Sequence, residues 1–131
     1  SEYAIETCKA LGEMLGFASV SVISPQKHDR MIAFLSQLTH CIAVSLMCSN
    51  DNPELVKFTG DSFRDLTRIA KINDEMWSEL FTLNRPALLA QMDAFAETFN
   101  SLREALARGD TDKMRSMMQK STQRRKTFDK K

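Results

Sequence analysis

Residues 24–50 read SPQKHDRMIAFLSQLTHCIAVSLMCSN. Ser24 suits a helix N-cap, and Pro25 suits the first helical position, where a missing N–H costs nothing. About 24 residues then pass without a breaker before SNDNP, so the spacing predicts one long helix over 26–48. Its apolar residues, from Met31, Ile32, Phe34 and Leu35 to Leu38, Cys41, Ile42, Val44, Leu46 and Met47, wrap most of the cylinder. A helix apolar on nearly every side must be covered on nearly every side. In a chain of 131 residues, a second subunit is the simplest cover.

The rest of the chain is read around that helix. With 43% hydrophobic residues, the length suits one modest core in a single domain. Four glycines and three prolines against eight methionines favour long helices with adaptable packing. Upstream, Ile5, Cys8, Gly12 and Leu15 recur at helical spacing, and Gly16 stands where a helix ends in a left-handed residue. Residues 17–24, FASVSVIS, alternate with period two and are rich in β-branched side chains, which predicts a strand. One strand leaves its ladder groups unpaired. The unit therefore reads as the closing edge of an α/β sheet whose remainder lies elsewhere. Pairing with its own copy and disorder are the two other readings.

Downstream, Asn52 and Pro53 start a short helix, Gly60 interrupts, and Phe63, Leu66 and Ala70 form the narrow apolar edge of the next. Asn73 caps another, with Asp74 and Glu75 in its first turn, where the helix dipole favours anions. Pro86 forces a break or kink. Leu88, Met92, Phe95, Phe99, Leu102 and Leu106 then repeat at spacings of four and three, an a/d seam that wants a helical partner. Arg108–Asp110 turns the chain into a last helix marked by Met114, Met117 and Met118. The fold class is mainly α: a helical bundle with a short N-terminal helix-strand appendage.

Eighteen basic against seventeen acidic residues nearly balance, so total charge argues for neither nucleic acid nor a membrane surface as partner. From Lys113 to Lys131, eight basic residues and one acidic give +7, leaving −6 for the first 112. The basic end, QRRKTFDKK, also reads as solvated terminal charge. Cys8, Cys41 and Cys48 form no metal-ligand spacing and sit among apolar residues, which predicts buried, reduced thiols. No secretory leader pattern opens the chain, and no run reaches the ~18 apolar residues of a bilayer span. The expected compartment is the cytoplasm.

Three groups of residues could carry chemistry. Arg64 and Arg68 lie one turn apart, with Asp65 three residues before Arg68 and able to orient it. An arginine so held offers a planar fork for a carboxylate or phosphate. The same spacing also describes a solvated helix face with ordinary ion pairs. Ser36 and His40 lie four apart on the long helix, and the Ser36 hydroxyl can reach one ring nitrogen, as in a satisfied core histidine. Trp77 can pack under a loop or wall a pocket. His28 and His40 are separated by about 18 Å of helix rise and cannot share a metal, so no metal site is expected. No P-loop, GxGxxG, GxSxG or HExxH is present.

In order, HDRMIAFLSQLTH, then FTGDSFRDLTRIA, then MW, followed by a long helix pair, resemble the C-terminal helical dimerisation domain of prephenate dehydrogenase. The block with Phe63, Asp65, Thr67, Arg68, Ile69, Ala70, Met76 and Trp77 carries the likeness most specifically. The resemblance implies a parent with a Rossmann domain binding NAD or NADP. Residues 1–23 would be that domain's last helix and strand, and 24–131 an all-helical dimerisation and substrate domain. It implies hydride transfer from the ring carbon of prephenate, coupled to decarboxylation, giving 4-hydroxyphenylpyruvate, with the general base, a histidine, in the nucleotide domain. Arg68 would then bind a substrate carboxylate, His40 line the pocket, Ser36 support it, Asp65 orient the arginine and Trp77 help close the site. A homodimer through helices follows, and the piece alone, without cofactor, is expected to be inactive. The family commonly reads Ser-His-Leu-Pro-His where this chain has Ser36, Gln37, Leu38, Thr39 and His40, which leaves prephenate against arogenate open. A free-standing helical interaction or regulatory protein, binding an aromatic amino acid or an acidic partner, is the alternative from another class.

Overall fold

Ser24 accepts a hydrogen bond from the Lys27 backbone N–H at 3.3 Å and opens the long helix, as the sequence predicts. The structure, a computed structural model, describes residues 1–129. Among the described residues six helices follow one another: α1 (Glu2–Met14), α2 (Pro25–Cys48), α3 (Asp61–Thr67), α4 (Asp74–Leu83), α5 (Arg85–Ala107) and α6 (Thr111–Lys126). Short 3₁₀ turns occupy Pro53–Lys57 and Arg68–Ala70. The punctuation read from sequence recurs in space. Asn52 caps the first 3₁₀ turn through Glu54 N–H, Asn73 caps α4 through Met76 N–H, and Asp110 caps α6 through Lys113 N–H. Gly16 and Gly109 take φ of +81° and +67° at the ends of α1 and α5, the left-handed region open to glycine at no steric cost.

Inside α2, Ala33–Gln37 form a π turn, with the Leu38 N–H reaching back to the Ala33 carbonyl. A π turn inserts one residue, so everything beyond it is rotated by about 100° relative to a regular helix. The apolar residues before and after the turn therefore face different ways, which is why the sequence shows no single stripe. α5 packs against the π turn, and α6 folds back on α5.

Four expectations need correction. Residues 17–24 form no strand; they run without regular structure beside α1, with no neighbour to complete a ladder. Their place is still set by packing, since a Cβ added to buried Gly12 would come within 2.5 Å of Val20 Cγ2. The single self-contained core is also absent. Among the described residues, Ala33, Leu38, Ala43, Leu88 and Ala105 are the buried apolar ones, and no large side chain is fully enclosed. The chain exposes 11235 Å², where a compact monomer of 14.9 kDa would expose about 7,000 Å². Third, α2 is by length and composition apolar enough to cross a membrane, because its polar residues are few and spread along an uninterrupted helix. Finally, Cys8 and Cys48 are exposed and only Cys41 is half-buried, since packing on the faces that carry Cys8 and Cys48 is too thin to enclose them.

Candidate functional site

The π turn and α4 build the site between them. His40 Nδ1 lies 2.8 Å from the Ser36 carbonyl oxygen, which can only accept, so Nδ1 carries the hydrogen. In the neutral ring, Nε2 is then a bare acceptor. The ring stacks on Trp77 with centroids 3.8 Å apart and planes 27° apart, and Trp77 in turn leans on Phe81 at 5.5 Å. Both His40 and Trp77 are half-buried. The three rings form a half-buried aromatic wall that carries an imidazole.

Beneath the stack, buried Gln37 donates from Nε2 to the Leu80 carbonyl at 3.2 Å and accepts at Oε1 from Asn84 Nδ2 at 2.7 Å. The same Asn84 amide donates to the Asp29 carbonyl at 2.9 Å. Gln37 and Asn84 were not among the site residues expected from sequence. A glutamine in the apolar middle of α2 was the available signal, because a buried amide must find partners; Asn84 carried none.

The structure joins some expected residues and not others. Ser36 supports His40 through its backbone carbonyl and not, as predicted, through its hydroxyl, because an i to i+4 imidazole meets the carbonyl first. Asp65 does not orient Arg68. α3 ends at Thr67, where the backbone tightens into the 3₁₀ turn that carries Arg68, and no hydrogen bond or ion pair joins Asp65 to Arg68 among the described residues. The neighbouring Arg64 is the one held locally, by Asp61 at 3.5 Å and the Thr59 carbonyl at 3.1 Å. Arg68 is exposed and makes no hydrogen bond or ion pair among the described residues. Its 3₁₀ turn packs against the second half of α2, the half that carries His40.

On the flank of α2, Leu38, Cys41, Ile42 and Leu46 face Leu66, Met92, Phe95 and Phe99 across an open apolar groove of about 600 Å³. Burial pushes the Cys41 thiol above its ordinary range. The a/d seam of α5 is thus partly closed at Leu88 and uncovered at Phe99, which is 59% exposed.

These helices define a helical domain whose packing faces stay largely open to solvent. Residues 24–120 match the family model described as "Prephenate dehydrogenase, dimerization domain", and the chain belongs to that family. A cyclohexadienyl dehydrogenase of Zymomonas mobilis is 32% identical over 99 residues, covering 71% of this chain and 34% of that protein. A prephenate dehydrogenase of Bacillus subtilis is 27% identical over 97 residues, covering 70% and 26%. The crystal structure of prephenate dehydrogenase from A. aeolicus in complex with hydroxyphenyl propionate and NAD+ superposes with a TM-score of 0.87 at 27% identity, covering 98% of this chain and 46% of that one. The chain thus matches only 34% and 26% of the length of these two curated relatives.

Proposed function

We propose that this chain is the dimer-forming, substrate-binding half of an NAD(P)-dependent dehydrogenase that oxidatively decarboxylates prephenate, or the related arogenate, in tyrosine biosynthesis in the cytoplasm. Residues 1–23 are then the tail of the nucleotide-binding domain. Two comparisons support that division: the family match starts at Ser24, whereas the structural likeness to the A. aeolicus enzyme covers 98% of the chain. The observation that carries the reading is the His40–Trp77 stack with its bare Nε2, a half-dry aromatic wall with one polar point.

On this reading the wall receives the ring of the substrate. His40 accepts a hydrogen bond from the substrate hydroxyl through Nε2, and the Ser36 carbonyl holds Nδ1 and keeps the ring from flipping. Arg68, exposed and unpaired among the described residues, supplies a two-pronged donor to a substrate carboxylate. Its solvated state here suits a clamp that desolvates only when the substrate and the covering surface arrive. Asp65 contributes negative charge nearby without a hydrogen bond. The nicotinamide, when bound, supplies the hydride acceptor; it belongs to the other domain. A second copy of the chain covers the apolar groove.

The test is kinetic and uses the full-length protein. Arg68→Ala is expected to lower kcat/KM for prephenate or arogenate at least tenfold, a loss of about 1.4 kcal/mol of transition-state binding. Unchanged kinetics with both substrates would remove the arginine from the site.

A further inference from the structure

α2 and α4 run antiparallel, and their side-chain pairs step in register. Gln37 meets Leu80, and three residues further along α2 His40 meets Trp77, three residues back along α4. One turn separates the members of each pair on its own helix. A slip of α4 would therefore break the polar pair and the aromatic pair together. The stack has no directional bond of its own to prevent such a slip. The polar pair does.

We infer that Asn84 is a positioning residue, a latch that sets the register of α4 on α2 and so holds Trp77 over His40. This inference rests on the substrate-site reading above for its kinetic consequence, but not for its structural one. Asn84 sits at the C-terminus of α4, and its single amide nitrogen donates both of its hydrogens, to Gln37 Oε1 at 2.7 Å and to the Asp29 carbonyl at 2.9 Å. Gln37, itself 5% exposed, gives its own hydrogen to the Leu80 carbonyl. That carbonyl also takes the Asn84 backbone N–H at 3.2 Å. The end of α4 is thus tied twice to the π turn and once to Asp29 in the first turns of α2. Neither amide can turn over without cost. A flipped Asn84 would set its oxygen against two acceptors, and a flipped Gln37 would set its oxygen against Leu80. The donors and acceptors therefore encode one register.

Asn84→Asp keeps the shape and removes both donors. In the full-length protein labelled with 5-fluorotryptophan, the Trp77 resonance, identified by its loss in Trp77→Phe, is expected to shift as the ring leaves the imidazole. KM for the substrate is expected to rise at least fivefold with kcat within about twofold, since a displaced wall weakens binding. Asn84→Gln, which keeps the donor, is expected to recover part of both. A purely structural loss would lower kcat with the folded fraction and leave KM alone, and that outcome overturns the inference. An unmoved Trp77 resonance in Asn84→Asp overturns it as well. A moved resonance with unchanged KM upholds the latch and sinks the substrate-site reading instead. If Asn84→Asp does not fold, Asn84→Ser, which reaches neither acceptor and places no charge, takes its place: the same shift and the same rise in KM are expected, and an unmoved resonance overturns the latch.

Discussion

The two flanks of α2 obey different rules. At the π turn, which meets α5, Ala33 and Gln37 are buried. Small side chains let the helices close, and a fully bonded amide tolerates the dry space. On the flank that meets Met92, Phe95 and Phe99, the helices stand apart around a groove of about 600 Å³, and large side chains remain in contact with solvent. Closure within the chain goes mainly with small or bonded residues, Leu38 and Leu88 being the large side chains that are buried, and most other large apolar side chains stay in contact with solvent. A dimerisation domain needs that division, because apolar area buried inside one chain is not available to hold two together.

The largest effect is expected in the open groove. Phe95→Asp combined with Phe99→Asp should weaken self-association of the full-length protein at least a hundredfold, about 2.7 kcal/mol, by sedimentation across a concentration series. A dimer of unchanged affinity would mean that the groove is covered by something other than a second copy. The closed flank predicts the opposite kind of damage. Ala33→Leu adds three carbons where there is no space, and should cost about 1–3 kcal/mol of folding stability without a specific loss of dimer affinity. Denaturant unfolding at fixed protein concentration separates the two.

A smaller effect is expected at Gly12, where the N-terminal segment meets α1. Gly12→Ala puts a Cβ within 2.5 Å of Val20 Cγ2, while alanine in a helix interior gains about 1 kcal/mol over glycine. Val20 is exposed enough to swing away. Net stability should therefore barely change, while hydrogen exchange at residues 17–23 accelerates. The smallest effect concerns Cys41, whose thiol is raised by burial against the groove. At neutral pH it should alkylate more slowly than exposed Cys8 and Cys48. The fold favours its protonated form, so its contribution to stability is complete below the ordinary thiol range. That contribution is lost as pH rises from there through the raised value. Equal alkylation rates at all three cysteines would show that the groove is wet.

Helix starts and stops were legible because they are local. Ser24, Asn52, Asn73 and Asp110 cap through bonds spanning two or three residues, and Gly16 and Gly109 end helices through one backbone angle each. The strand over 17–24 failed for the complementary reason, since alternation marks a segment able to pair, and pairing requires a neighbour. The Asp65–Arg68 contact failed because a continuous helix was assumed where the backbone tightens at Thr67. Of the candidate site, His40 and Trp77 were named but not their stacking, and Asn84 was not named at all, since the residues it joins are 47 and 55 positions away.

Composition and pattern were therefore enough to establish a mainly helical chain with more apolar surface than it can hide, and to show where several of its helices begin. Which residue meets which across α2 and α4, and which flank of α2 stays open, came only from the packed chain. The physical reason is range: a cap or a glycine acts through its own few peptide units, whereas a stack, a shared amide or an open groove depends on how distant segments are brought together.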